Sequence, residues 1–408
     1  MKIAFLCGNY PPEVRAGTEM VAAALSRELG FAGHEVLVLC TSDTVHSGQD
    51  LRREQHDGIT VLRVFKKMDE WDGGGLHRPR VLALTEQLLR EQQPDVLHVH
   101  SFASFGSGTI SMARRLGIPS VLTFHDVWAT CPRYFRLPPA GIVCPTGADR
   151  SPCAECVNQD LRHPDIVVIR EALAGRDREV RNEVEAAMAL TAPSTTAARM
   201  VSEHLPVSRA IEVIPHGVLH PVPVAGRAVL PPKTARLCIG TFGNLVPEKG
   251  VLELVEAAAG LDCELHLAGR FLSEVFLREV RARAGQLGVQ LVCSGAYGPL
   301  TPHPAVRLQL AVFPSKCQET YGLVVDEALA HGVPVLVSDQ GALAERAGTG
   351  GVLVTSLALL AIALRTLVAD RAALERLRAS IPAELPTIAL AAARYRAIYD
   401  RVVAEAIL

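Results

Sequence analysis

Residues 313–345, FPSKCQETYGLVVDEALAHGVPVLVSDQGALAE, decide how the rest of the chain is read. Phe313 closes an apolar run, LQLAVF, and Pro314-Ser315 punctuate it as the end of a strand. Glu327 to His331 has helical character, stopped by Gly332 with Pro334 just beyond. Val333 to Val337 is a short β-branched run suited to a buried parallel strand. Two carboxylates stand out, Glu319 before the helix and Glu327 inside it. Between them, Tyr321-Gly322-Leu323 opens its backbone amides toward the helix N-terminus, where orphan N–H groups and the helix dipole favour an anion.

At 408 residues the chain exceeds one ordinary core, so two domains are expected. Nearly half of it is apolar and the formal net charge is only −2, which suits a soluble α/β protein and gives no electrostatic case for nucleic acid. The opening MKIAFLCGNYPPE is too short in its apolar run for a signal peptide and reads as a buried strand entering a loop. The apolar run Val352 to Leu364 is interrupted by Thr355-Ser356 and falls short of a membrane span. A cytoplasmic protein, with peripheral membrane contact at most, is the expectation.

Outward from the opening stretch, the first half alternates strands and helices. Lys2–Cys7, Glu35–Cys40, Val61–Val64, Val96–Val99, Ser120–Phe124 and Ala189–Ala192 read as strands, and 18–30, 79–92, 107–116 and 195–204 as helices. That order predicts a doubly wound parallel sheet with ligands at the strand C-termini. After the first strand, Gly17 allows close backbone approach to a ligand and Thr18 is the expected N-cap. Residues 170–187 are charged and nearly balanced, which predicts a solvated helix face. Residues 219–233 lack periodicity and read as a linker.

Six of the ten cysteines are scattered singly, as small hydrophobes in or beside strands. The other four, Cys131, Cys144, Cys153 and Cys156, sit in a Pro/Gly-rich segment, the last two as C-x2-C. They suit one structural zinc, which has no open catalytic position when four thiolates hold it. A disulfide pair and four free thiols are the alternatives.

The opening stretch resembles the E-x7-E element of retaining GT-B glycosyltransferases, most closely glycosyltransferase family 4. Pro314, Ser315, Glu319, Tyr321, Gly322, Glu327, Gly332, Pro334, Asp339, Gly341 and Glu345 carry the match in order. Similar family segments are the loop at Gly17, Pro94 to His100, Thr123 to Trp128, Thr191 to Ser194, Glu212 to Val218, and Phe242 to Gly250. The resemblance implies two Rossmann-like domains facing across a cleft: 1–212 with a Cys-rich insertion at 131–156, 213–387, and a helix, 388–408, returning to the first. It implies sugar transfer from a nucleoside diphosphate donor to a hydroxyl acceptor (a glycan, lipid or small molecule) with retention and no catalytic metal.

In that scheme Lys249 grips the diphosphate with the Gly17 amide and the amides at Gly322-Leu323. Glu319 orients the donor sugar, Glu327 meets the ribose, and His125 contacts the sugar rather than acting as a base. Tyr321 and Ala296 line the donor side, whereas His100 and Asp126 face the acceptor. Asn244 stands where the family has an arginine, and Arg270 is the candidate replacement. A nucleotide-sugar epimerase or phosphorylase on the same scaffold, or a non-catalytic nucleotide-sugar-binding protein, are the other readings.

Overall fold

Apolar runs with no wet face become central strands, because a parallel sheet covered by helices on both sides leaves neither face exposed. The computed structural model describes the chain except for residues 15, 43, 45–48, 67–75, 139–143, 145–149, 221–235, 299–300 and 408. Much of the expected linker and part of the cysteine-rich insertion lie outside the described residues.

In the first unit, Met1–Leu219 with Thr387–Leu408, β1 (Lys2–Cys7) leads through α1 (Gly17–Phe31) to β2 (Glu35–Ser42). A hairpin follows, β3 (Leu51–His56) and β4 (Ile59–Phe65), then α2 (Pro79–Gln92), β5 (Val96–Val99), α3 (Thr109–Arg115) and β6 (Ser120–Thr123). Helices α4 (Ser151–Leu161) and α5 (Ile166–Ala186) precede β7 (Ala189–Ala192), α6 (Thr195–His204) and β8 (Ile211–Val213). The sheet runs β3-β4-β2-β1-β5-β6-β7-β8, parallel apart from β3. Its strand order reverses at β1/β5, so the loops after those two strands flank the crevice where such sheets bind ligands.

Two expectations for this unit are corrected. Ala16, not Thr18, takes the N-cap of α1: the chain turns from extended backbone into helix at Ala16, and no side chain caps the end. The charged run in α5 is not wholly a solvated face. Arg176 is buried with its guanidinium 4.6 Å from the Trp128 ring, and Glu183 accepts from the Ile110 amide and the Ser111 hydroxyl, both at 2.6 Å.

The second unit, His220–Pro386, repeats the plan: β9 (Leu237–Leu245), α7 (Val251–Ala257), β10 (Cys263–Phe271), α8 (Glu274–Leu287), β11 (Leu291–Ser294) and β12 (Leu310–Phe313). It continues with α9 (Leu323–Ala330), β13 (Val335–Ser338), β14 (Val352–Thr355), α10 (Leu360–Ala369) and α11 (Arg371–Ala379). All pairings are parallel in the order β11-β10-β9-β12-β13-β14, which reverses at β9/β12. Gly332 ends α9 at positive φ, as the opening stretch predicts.

Helix α12 (Ile388–Ile407) belongs to the first unit. Ile388, Ala391, Ala392, Tyr395, Ile398, Tyr399 and Val402 recur at helical spacing and are buried, and they dock against α1, β5 and β6. The Tyr399 hydroxyl reaches His98 Nδ1 at 2.6 Å, and His98 Nε2 meets Thr123 Oγ1 at 2.7 Å.

Candidate functional site

The switch point of the second sheet joins the loop after β9 to the loop after β12. Lys249 ends a single helical turn, Pro247–Lys249, and the Lys316 amide donates to the Glu248 carbonyl at 2.9 Å, tying the loops together. Across this junction Lys249 Nζ lies 2.5 Å from Glu319 Oε1, and the Ser315 hydroxyl donates to the same oxygen. Burial alone would lower the Lys249 pKa, but the Glu319 carboxylate together with Cys317 and Glu248 more than offsets it, and the ammonium is held charged beyond its usual range.

Gly322 caps α9 in the left-handed region, φ +85°, where a Cβ would also stand 2.7 Å from Leu343. No side chain caps this N-terminus. The turn before it is braced from the side: Arg346 pairs with buried Asp326 at 2.9 Å and lies 4.7 Å from the Tyr321 ring. One turn along, Glu327 approaches His303 Nε2 at 3.7 Å. The His303 ring packs on Phe242, Tyr297 and His331 at 4.9, 5.2 and 4.5 Å between centroids. Burial, then the Glu327 charge, raise the Tyr297 pKa. His303 stands in the proline-rich stretch whose lack of periodicity hid it, whereas Ala296 is exposed beside Tyr297.

Asn244 and Arg270 are register partners on adjacent strands, and both are exposed. Their strands end almost in contact: a Cβ on Gly269, at φ +136°, would lie 1.9 Å from the Gly243 carbonyl oxygen. As register partners, Asn244 and Arg270 project from the same face of the sheet.

The first unit builds its switch point from rings. His98, His100, His125 and His216 form a buried pile: His98 on His100 at 4.0 Å, His100 on His125 at 5.0 Å, and His125 on His216 at 5.0 Å. His100 Nδ1 and His125 Nε2 share a 2.8 Å hydrogen bond. Burial lowers the His125 pKa to about 3 and takes His98 and His100 well below their ordinary value, so these three rings are neutral. Asp126 accepts from the Trp128 amide at 2.8 Å, and burial raises its pKa.

The loop after β1 is fixed by a cation that the run ITVLRVF concealed. Arg63 is fully buried and pairs with Glu54 at 2.6 Å, and it donates to Asn9 Oδ1 at 3.1 Å and to the Tyr10 carbonyl at 3.3 Å. Gly17 is the first residue of α1.

The four clustered cysteines are free thiols and do not close into a tetrad: no three of their sulfurs lie mutually within 4.8 Å. Guanidiniums engage three of them instead, Arg133 with Cys156 at 3.2 Å, Arg150 with Cys153 at 3.6 Å and Arg136 with Cys144. Burial raises the Cys144 pKa, with contributions from Cys131 and Cys153. Among the described residues, the side chains grouped closely enough to hold a metal are Cys238, Glu264 and His266.

A family model described as Glycosyltransferase Family 4 matches residues 15–219, half of the chain, and one described as Glycosyl transferases group 1 matches residues 236–370. The chain belongs to glycosyltransferase family 4. This family 4 enzyme is 29% identical over 357 residues to a GDP-mannose-dependent alpha-mannosyltransferase of Mycolicibacterium smegmatis, which covers 84% of this chain and 80% of the relative. Its fold is that of sucrose-phosphate synthase from Thermosynechococcus elongatus, at a TM-score of 0.70 and 15% identity over 99% of both chains. It is likewise that of Anabaena HepE in complex with UDP-glucose, at 0.65 and 17% identity over 100% of this chain and 99% of the other. The two doubly wound units of the family 4 chain are thus those of the GT-B fold, with α12 returned to the first. None of its described helices is long and apolar enough to cross a membrane.

Proposed function

We propose that the chain moves a hexosyl group from a nucleoside diphosphate donor to a hydroxyl acceptor, with retention at the anomeric carbon. The Lys249–Glu319 pair, set at a sheet switch point just before the N-terminus of α9, carries this reading. An ammonium beside a helix dipole suits a diphosphate leaving group, whose developing charge must be stabilised. Two similar proteins, a GDP-mannose-dependent alpha-mannosyltransferase and one solved in complex with UDP-glucose, support a donor of this class.

On this reading the pair exchanges partners: Lys249 turns from Glu319 to the phosphate, and Glu319 takes hydroxyls of the donor sugar. Arg270 supplies the positive charge absent at Asn244, so that protein groups do the work a catalytic metal would do. Glu327 accepts from the ribose hydroxyls, beside the Phe242, Tyr297 and His303 rings that suit the base. The bond from the anomeric carbon to the phosphate oxygen breaks as the acceptor oxygen bonds that carbon on the same face, and the acceptor proton passes to the departing phosphate. His125, neutral, donates or accepts toward sugar hydroxyls, and His100 and Asp126 serve the acceptor.

The test is a panel of nucleotide sugars, with nucleotide release followed in the presence and absence of acceptors. Glu319→Ala should abolish turnover and Glu327→Ala should weaken nucleotide binding; wild-type behaviour in both variants rejects the assignment.

The cysteine-rich segment carries a second part of the proposal, a structural zinc on Cys131, Cys144, Cys153 and Cys156. Its support is twofold. Cys153 and Cys156 lie one turn apart on α4, and among the described residues the buried core this helix shares with α5 is small, Ala154, Ile169 and Leu173. An ion would draw the sulfurs to about 2.3 Å from itself. Metal analysis should find zinc that is lost in a Cys153→Ser, Cys156→Ser double variant; equal zinc in both proteins refutes it. Ten free thiols also fit a reducing compartment, so the cytoplasm is the proposed setting, checked by cell fractionation.

A further inference from the structure

Away from both switch points, the second sheet gathers three metal-ligating side chains that the proposed reaction leaves unused. Cys238 on β9 is the register partner of Glu264 on β10, and His266 follows Glu264 by two residues, so all three project from one face. They stand near the starts of their strands, whereas Asn244 and Arg270 stand near the ends. The Cys238 sulfur is 3.8 Å from Glu264 Oε1, and His266 Nε2 contacts that same oxygen. The thiol, carboxylate and imidazole donor atoms all lie within 4.8 Å of one another. His266 is only 9% exposed, which holds its ring in place without sealing the group from solvent.

We propose that Cys238, Glu264 and His266 bind one zinc-class divalent cation. Thiolate, imidazole and carboxylate are the three donor types zinc accepts, at about 2.0–2.3 Å, and three protein ligands leave a fourth position for water. The thiolate selects against magnesium and calcium, which prefer oxygen alone. Two neighbouring strands already fix the backbone of all three residues, so a contraction of the side chains completes the site. The charges balance: one thiolate and one carboxylate neutralise a divalent ion, the thiol proton leaves to solvent, and the imidazole binds through Nε2 with its hydrogen on Nδ1. The hydrogen-bonded trio seen here is the metal-free form of that chelate, in which hydrogens occupy the place of the ion. Binding staples the start of β9 to the start of β10 and leaves the Lys249 and Glu319 loops untouched.

The experiment uses the full chain, stripped with a chelator under reducing conditions and titrated with Co2+ or Zn2+ alone. Co2+ should bring up a near-ultraviolet thiolate charge-transfer band, and Zn2+ should raise Tm. Cys238→Ser should remove one equivalent of bound metal, separating this site from any ion on Cys131, Cys144, Cys153 and Cys156. Glu264→Gln keeps the shape and weakens the site about tenfold or more, since losing even an outer-shell partner costs that much. If Cys238→Ser fails to fold, Glu264→Gln and His266→Asn carry the decision. No bound metal, or a stoichiometry and affinity unchanged in these variants, overturns the site, and neither outcome bears on sugar transfer.

Discussion

At the crevice of the second sheet an ammonium and a carboxylate lie 2.5 Å apart, whereas at the crevice of the first four imidazoles pile ring on ring, three of them held neutral by burial. Both sites arise from the same topology, a reversal of strand order that leaves two loop ends facing each other. The difference lies in burial and charge compensation. Lys249 stays charged because Glu319 sits beside it, while His98 and His100 are closed in among Phe5, Thr123 and Tyr395, where desolvation removes the proton as it does from His125. On the proposed function, fixed charge stands where a leaving group develops charge, and neutral donors and acceptors stand where hydroxyls are read. The same fold thus supplies an electrostatic half and a hydrogen-bonding half.

The contrast breaks most readily at Lys249. Lys249→Ala should lower kcat by about 100- to 1000-fold, the loss expected for removing a group aimed at developing charge. His125→Asn, which keeps a hydrogen-bonding group, should lose much less. Equal losses in steady-state nucleotide release would erase the distinction between the halves.

Acid sharpens it next. An unfolded histidine takes up its proton near pH 6.5, but folded His125 does so only near about 3. The unfolded chain therefore binds more protons below about pH 6.5, and stability present above that pH is lost as it falls. Each buried ring contributes up to about 1.4 kcal/mol per pH unit. Thermal melts should show Tm dropping from about pH 7 to about pH 5, and a His100→Asn, His125→Asn double variant should flatten the slope. An unchanged slope would mean that the pile is not the group responsible.

Tyr399→Phe isolates the docking of α12 on the pile. It strands His98 Nδ1 without its hydroxyl and should cost about 1–3 kcal/mol in urea unfolding. The smallest effect concerns the replaced clamp. Arg270→Ala should raise the donor KM several-fold, equivalent to about 1 kcal/mol for a solvent-exposed charge, with kcat less affected. In that background Asn244→Arg should restore donor binding; failure to restore it would dissociate the two positions.

Much of this was legible because the signals were local. β1, β5 and β7 are short, largely apolar runs, and their bounds match those read from the residues alone. The order of Glu319, Gly322, Glu327 and Gly332 likewise fixes a loop, a helix start and a helix end. What stayed hidden depends on distant partners. β3, LRREQH, is a polar edge strand defined only by its pairing with β4. Arg63 looked like an interruption in a strand, yet it is the buried brace of the loop after β1, matched by Glu54 and Glu13 from other segments. His303 became visible once Phe242 and His331 came to its sides, and Arg270 acquired meaning by lying opposite Asn244. Cys238 reads as a small hydrophobe until register sets it beside Glu264 and His266.

The bridge between Val218 and Thr387 has a consequence for biosynthesis. Because the polypeptide leaves the first unit at Leu219 and re-enters it at Thr387, the unit begun earliest is finished last. As the ribosome works, the strands β1 to β8 emerge with the groove for α12 still unfilled, and residues 220–386 can mature before it is closed. Stalled or truncated translation products that lack the final helix should therefore expose apolar surface on the older half, making them the species that chaperones and proteases engage.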